Sequence, residues 1–187
     1  GLPNGIISIG SFLKRKGCEV QIFDALVEGA FPKDAKKNSV SLYGATWSKL
    51  KKTAVNFQPD VIGITNIFRE TMEESMEAAR QIKSVLPDKL VIVGGPNATS
   101  HCDTIVEQCH EVDFVGTNDG EDTTLEVVEY AIGLRAKHEI KNIVYVQNGE
   151  IKRAEQRHLP LSLDPLGASD YDLVDLEKYF ELERNGV

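Results

Sequence analysis

The chain has 187 residues, of which 41% are apolar, and 21 basic against 29 acidic side chains leave a formal net charge of −8. That length supports one domain with a proper core and a tail, and no apolar run is long enough to span a bilayer. The acidic balance argues against DNA or RNA as the main partner, and three cysteines are too few for a disulfide framework and fit a reducing cytoplasm.

Gly1-Leu2-Pro3-Asn4 lacks the basic and apolar pattern of a secretion signal, and the missing initiator methionine is read as the mark of a fragment. Ile6, Ile9, Gly10 and Leu13 recur at helical spacing, with Gly17 placed to stop the helix. Glu19-Val20-Gln21-Ile22-Phe23 reads as a strand ending at Asp24. Residues 28–45 read as a long loop, and a helix from about Trp47 to Phe57 leads through Pro59-Asp60 into the buried strand Val61-Ile62-Gly63-Ile64. Thr71 and Glu74 form a capping-box pattern, and Met72, Met76, Ala79, Ile82 and Leu86 line one face of the helix behind it. Leu90–Val93 is the next strand. Ser100 is placed to cap a helix running to about Gln108, and Val112–Val115 is a fourth, shorter strand. A polar turn over 116–122 precedes a helix that turns Leu125, Val128 and Ile132 inward.

This alternation predicts a parallel, doubly wound sheet. Such a fold opens with a strand, whereas this chain opens in the loop before a helix, so a preceding strand is expected to be missing. Beyond Gly133, Asn142–Val146 and Glu150–Lys152 read as a hairpin around Asn148-Gly149. Residues 154–170 resemble a linker, and Tyr171–Tyr179 is a short amphipathic stretch leading towards another domain.

The basic clusters Lys14-Arg15-Lys16 and Lys49, Lys51, Lys52 are read as solvated helix faces. His101-Cys102 and Cys109-His110 look like metal ligands. On one helix, however, the two cysteines lie about 10 Å apart along the axis, too far to share a zinc, so they are read as ordinary thiols.

The most informative segment is Val91-Ile92-Val93-Gly94-Gly95-Pro96-Asn97, where an apolar strand stops at two glycines and a helix follows. Glycines there let backbone approach a ligand closely, and open α/β sheets bind ligands at the carboxyl ends of their strands. The alternative is that the pair merely eases a tight turn. Loops 65–71, 94–100 and 116–122 converge at that edge and offer hydroxyls, amides and helix-start N–H groups, a set suited to a small molecule with amide or phosphate groups. G-x-G-x-x-G, G-x-x-x-x-G-K-[ST] and G-x-S-x-G are all absent, which disfavours dinucleotides, nucleoside triphosphates and a serine nucleophile. Glu121 and Asp122 could pair as acid and base, although a helix N-terminus favours acidic residues on electrostatic grounds alone. Thr65-Asn66 stands where a response regulator would carry a phosphorylatable Asp.

Taken in order, these segments resemble the cobalamin-binding domain that precedes the core of many radical S-adenosylmethionine enzymes. Leu2-Pro3-Asn4-Gly5-Ile6 is similar to its P-x-G-L opening, and Gly17-Cys18-Glu19-Val20 to Asp24 is similar to its G-H-E-V-x-x-x-D. Tyr43-Gly44 and Pro59-Asp60-Val61-Ile62-Gly63-Ile64-Thr65 follow the family pattern, the latter as P-D-V-V-G-I-S/T. Val93-Gly94-Gly95-Pro96-Asn97-Ala98-Thr99 resembles V-G-G-P-H-A-T, with Asn97 in place of histidine. Val112–Val115, Gly120-Glu121-Asp122-Thr123, Leu163-Asp164-Pro165-Leu166 and Tyr171–Asp175 continue the series.

The resemblance implies a corrin over the carboxyl edge of the sheet, with its nucleotide tail in a pocket beside the central strands. Thr65, Asn66, Ile67 and Phe68 would line the corrin. Gly94, Gly95, Pro96 and Asn97 would leave room for the tail, and Gly120 and Glu121 would touch it from the next loop. D-x-H-x-x-G is absent, so bound cobalamin is expected base-off without a histidine ligand. C-x-x-x-C-x-x-C is also absent, so the [4Fe–4S] cluster and S-adenosylmethionine are expected only in a core outside these residues.

The expected fold class is therefore α/β: a doubly wound (Rossmann/flavodoxin-like) parallel sheet with helices on both faces, then a small hairpin and linker. Residues 1–136 would form the cobalamin-binding domain and 137–187 the hairpin and linker toward a radical S-adenosylmethionine core in cis. The first functional reading is a cytoplasmic cobalamin-presenting domain of such an enzyme, methyltransferases included, with neither nucleic acid nor membrane as partner. The second is a structural or interaction domain of the same fold without cobalamin, and the third a stand-alone flavodoxin-like binder of another small molecule.

Overall fold

The computed structural model describes residues 1–29, 44–156 and 166–184. Five strands, β1 (Val61–Thr65), β2 (Leu90–Gly94), β3 (Phe114–Gly116), β4 (Ile143–Gln147) and β5 (Glu150–Arg153), lie side by side in chain order. The first three are parallel, and β4 and β5 extend the same sheet antiparallel. The Asn-Gly turn is as expected: Asn148 and Gly149 have φ of 54° and 77°, the positive pair that twists a two-residue hairpin correctly.

Helices cover both faces. Ile62, Ile64, Val91 and Val93 turn to one side and pack under α3 (Trp47–Phe57), α4 (Met72–Lys83), α5 (Pro96–Ser100) and α6 (Cys102–Gln108), where Met76, Ile82 and Ile105 are buried. Val61, Leu90, Ile92 and Phe114 alternate to the other side and meet Val127 of α7 (Gly120–Ala131). On that side α1 (Asn4–Arg15) lies against α7. Among the described residues no helix is long and apolar enough to cross a membrane.

Four local expectations are corrected. The helix after 116–122 does not turn Ile132 inward: Ile132 lies just past its end and is exposed, while Thr123, Glu126 and Val127 are the residues it buries. Glu19–Phe23 is not a strand, because a strand needs a ladder partner and none of the described residues supplies one. Instead, the side chains of Val20 and Ile22 pack at Gly10 of α1. Ser100 does not start the helix to Gln108. Pro96 opens a separate short helix, and the Ser100 hydroxyl bonds back to the Pro96 carbonyl. Thr71 does not cap α4, because its hydroxyl donates to the Phe68 carbonyl and accepts from Asn66 Nδ2. The loop expected at 28–45, most of the 154–170 linker, Tyr43 and Leu163–Pro165 fall largely or wholly outside the described residues.

Beyond that linker, residues 166–184 turn back onto the domain. Arg15 donates to the carbonyls of Leu166 and Ala168, Lys14 pairs with Asp170 at 2.7 Å, and the Asp170 N–H donates to Ser11 Oγ. The last helix, α8 (Leu176–Arg184), docks beside α2 (Ala25–Glu28). Tyr179 donates to Asp24 at 2.8 Å, and burial together with that carboxylate pushes its phenol well above the ordinary range. Glu28 accepts from both Lys49 and Lys178, and these bonds hold its carboxyl below the ordinary 4.5.

Because Glu28 is depressed in the folded chain, its contribution is present above about pH 4.5 and lost as pH falls through the lower folded value. A carboxyl NMR titration should place Glu28 below 4.5 in the wild type. Lys49→Met, which leaves Lys178 of α8 as the remaining cation on Glu28, should move it upward and make undocking of α8 begin at higher pH.

Candidate functional site

Strand register builds the site. Thr65 of β1 sits opposite Gly94 of β2, so the chains leaving the two strands emerge side by side at the carboxyl edge. Asn66 joins them. Its N–H donates to the Gly94 carbonyl at 2.7 Å and its carbonyl accepts from the Ala98 N–H at 3.4 Å. Its side-chain oxygen accepts from Asn97 Nδ2 at 2.5 Å, while its Nδ2 donates to the Phe68 carbonyl and Thr71 Oγ1 at 3.0 and 3.2 Å. Asn66 is fully buried and Asn97 is 7% exposed. Buried amides must be satisfied, and both side-chain atoms of Asn66 are, by Asn97 and by the loop after β1.

Gly95 passes directly beneath this junction. Its φ is +105°, and a β-carbon there would lie 2.7 Å from the Asn66 carbonyl oxygen. Its conformational freedom is therefore used by the protein itself. Gly94 differs. A β-carbon there would meet nothing within 4 Å, and the same holds at Gly63, in the middle of β1. Strand alternation puts both on the α7-facing side of the sheet, with Val61 and Ile92. At Gly116 of β3, by contrast, the same face is filled by Ile92 and Thr123. Two neighbouring strands thus each carry, on one face, a position where a side chain would meet no neighbour within 4 Å.

The start of α7 is held at the same edge by α1. Ser8 Oγ donates to Glu121 Oε1 at 2.7 Å, and Ile9 Cδ1 lies 2.6 Å from where a β-carbon on Gly120 would be. On the rim, Ile67 and Phe68 are 49% and 64% exposed, held outward by the Asn66 bond to the Phe68 carbonyl.

The ten residues anticipated from sequence are therefore gathered at one edge, in different situations. Thr65, Ile67, Phe68 and Pro96 are exposed, and Gly94 borders open space. Asn66 and Asn97 are buried and bonded to each other, Gly95 and Gly120 serve close internal approach, and Glu121 is engaged by Ser8. Gly63, Ser8 and Thr71 were not anticipated. For Gly63 the signal was present: a glycine in the middle of an apolar strand marks close backbone approach. The edge thus combines exposed apolar side chains on its rim with bare strand backbone below.

The B12 binding domain family model matches residues 1–128. The uncharacterized methyltransferase PH0819 of Pyrococcus horikoshii is 26% identical over 179 residues, covering 96% of this chain and 35% of that protein. Cytidylyl-2-hydroxyethylphosphonate methyltransferase of Streptomyces wedmorensis is 25% identical, covering 97% and 38%. The chain thus spans little more than a third of either relative.

Among solved structures, the cobalamin-dependent S-adenosylmethionine radical enzyme OxsB, with aqua-cobalamin and S-adenosylmethionine bound, superposes with a TM-score of 0.69 at 18% identity. That match covers 84% of this chain and 20% of OxsB. The radical S-adenosylmethionine methyltransferase TsrM of Kitasatospora setae, with cobalamin and a [4Fe-4S] cluster bound, gives 0.64 at 16% identity, over 88% of this chain and 29% of TsrM. At these identities the likeness is one of fold, and it agrees with the α/β doubly wound class expected from sequence.

The two adjacent glycines should respond differently to a single methyl group. Gly95→Ala should destabilise the fold by about 1–3 kcal/mol through its positive φ and the clash with the Asn66 carbonyl, whereas Gly94→Ala should stay within about 0.5 kcal/mol. Urea unfolding midpoints of the two variants check this.

Proposed function

This chain belongs to the B12-binding domain family, and on that premise we propose that it binds cobalamin at the carboxyl edge of β1 and β2. The observation that carries the reading is the strip of bare backbone at Gly63 and Gly94, where added β-carbons would project into open space beside the α7-facing sheet surface. A slender nucleotide tail fits such a strip, because no side chain must move to admit it. The flat corrin fits the rim above, where Ile67 and Phe68 are already exposed and desolvated cheaply.

In this reading Thr65, Ile67 and Phe68 face the corrin, while Gly63, Gly94 and Pro96 bound the tail. Gly120 and Glu121 close the far side through their contacts with Ile9 and Ser8. Bound cobalamin supplies cobalt chemistry for methyl or electron transfer. The chain binds, orients and shields it. The loops at this edge offer the lower face no histidine: 65–71 and 116–122 contain none, and the His101 ring nitrogen Nδ1 sits 3.1 Å from the Asn97 carbonyl. Base-off cobalamin is the state this supports.

The relatives extend the reading to the complete protein. Two methyltransferases and two radical S-adenosylmethionine enzymes, each much longer than this chain, support a core in cis that holds the [4Fe–4S] cluster and S-adenosylmethionine. Residues 1–136 then present the cofactor and 137–187 lead to that core, in a cytoplasmic enzyme without nucleic acid or membrane as partner. By alternation from the bonds to β2, Val61, Gly63 and Thr65 direct their N–H and C=O groups away from it, and no described strand pairs with them.

Titrating hydroxocobalamin into the full-length protein, desalting, and recording the visible spectrum tests the reading. Retained corrinoid with a base-off spectrum is expected. Gly94→Val and Gly63→Val should each weaken retention by at least about tenfold while leaving the urea midpoint near wild type, since the added atoms fill ligand space rather than core. A well-folded wild type that retains no corrinoid would replace this reading with a structural role for the same fold. Unchanged retention in both variants would move the pocket elsewhere.

A further inference from the structure

Asn66 and Asn97 stand among the residues expected to touch the cofactor, yet the structure gives their side chains other work. Asn66 is inaccessible, and both atoms of its side-chain amide are occupied: Oδ1 by Asn97, and Nδ2 by the Phe68 carbonyl and Thr71 Oγ1. Asn97 is nearly inaccessible, its Nδ2 donates to Asn66, and its carbonyl accepts from the His101 N–H at 3.0 Å. A ligand could reach the Asn66 side-chain amide only by breaking bonds between buried groups.

The pair has a different reach. Asn97 belongs to α5, behind β2, whereas Phe68 and Thr71 belong to the loop behind β1. A chain of side-chain bonds runs Asn97 to Asn66 to Phe68 and Thr71, crossing from one loop to the other. At its far end, Phe68 is the most exposed of the rim's apolar side chains. We infer that Asn66 and Asn97 are positioning residues: their amide pair couples the loops after β1 and β2 and fixes where the Ile67–Phe68 platform stands, without touching the ligand. The part of this that concerns the ligand rests on the cobalamin reading above.

The Asn97→Ala and Asn97→Asp variants of the full-length protein test the inference, and amide exchange measures coupling independently of any ligand. The reporter is Thr71, whose N–H donates to the Phe68 carbonyl in the loop that Asn97 does not belong to. In Asn97→Ala the protection of Thr71 should fall by about five- to tenfold while β2 amides keep theirs, and hydroxocobalamin affinity should fall by a similar factor. Asn97→Asp should behave alike at pH 7, because a carboxylate cannot donate to Asn66 Oδ1. It should regain Thr71 protection as pH falls and the new carboxyl takes up a proton, a rescue that a purely space-filling role would not show.

Three results would overturn the inference: unchanged Thr71 protection in Asn97→Ala, lost corrinoid affinity with Thr71 protection intact (which would make Asn97 a direct contact), or no acid rescue in Asn97→Asp. A wild type that retains no corrinoid would sink the cobalamin reading alone, and Thr71 protection would still decide whether the pair couples the loops.

Discussion

The carboxyl edge of this sheet depends on one buried amide. Asn66 makes five hydrogen bonds, two through its backbone and three through its side chain, and every partner lies in a segment leaving β1 or β2. Where a chain leaves a strand its backbone groups lose their ladder partners, and burying them unpaired would cost more than the turn gains. Asn66 removes that cost for both turns at once. Gly95 has to pass beneath its carbonyl, so the glycine that looks made for a ligand is spent on the protein. Thr71 gives its hydroxyl to the same junction, and α4 begins without the cap its sequence offers.

With the turns secured from inside, the outside can be left bare. Gly63 and Gly94 contribute nothing to packing at the positions where side chains would point, and Ile67 and Phe68 face solvent at a hydrophobic cost. Such features are poor choices for stability taken alone. They make sense together in a domain whose family binds a large, partly planar cofactor.

Much of this was legible in the residues. Apolar runs before Thr65 and Gly94 mark parallel strands, the helical period in 72–82 marks one covering helix, and Asn148-Gly149 marks the hairpin, whereas the period read over 125–132 finds the helix but not its buried face, which is Thr123, Glu126 and Val127. What escaped was whatever depends on a partner distant in sequence. Glu19–Phe23 has strand composition but no ladder among the described residues. Thr71 and Glu74 match a cap that Asn66 pre-empts from five residues away. Polar side chains at a strand's end read as ligand contacts because composition cannot distinguish an amide facing solvent from one facing another amide 31 positions along the chain. Gly63 was readable as an anomaly but not as a neighbour of Gly94, since only the register puts them on one face.

The outer edge of β1 has a consequence for handling the isolated domain. Edge strands in soluble proteins are usually defended by a lysine, a proline, a bulge or a covering loop. Val61-Ile62-Gly63-Ile64-Thr65 carries no charge and no proline, and its β-branched residues favour an extended chain. Whatever strand reaches this edge first finds a ready template, and during synthesis or refolding a second copy competes with the chain's own segments for it. Crowded refolding therefore favours assembly through β1, which makes dilution and slow concentration the conditions that keep the domain single.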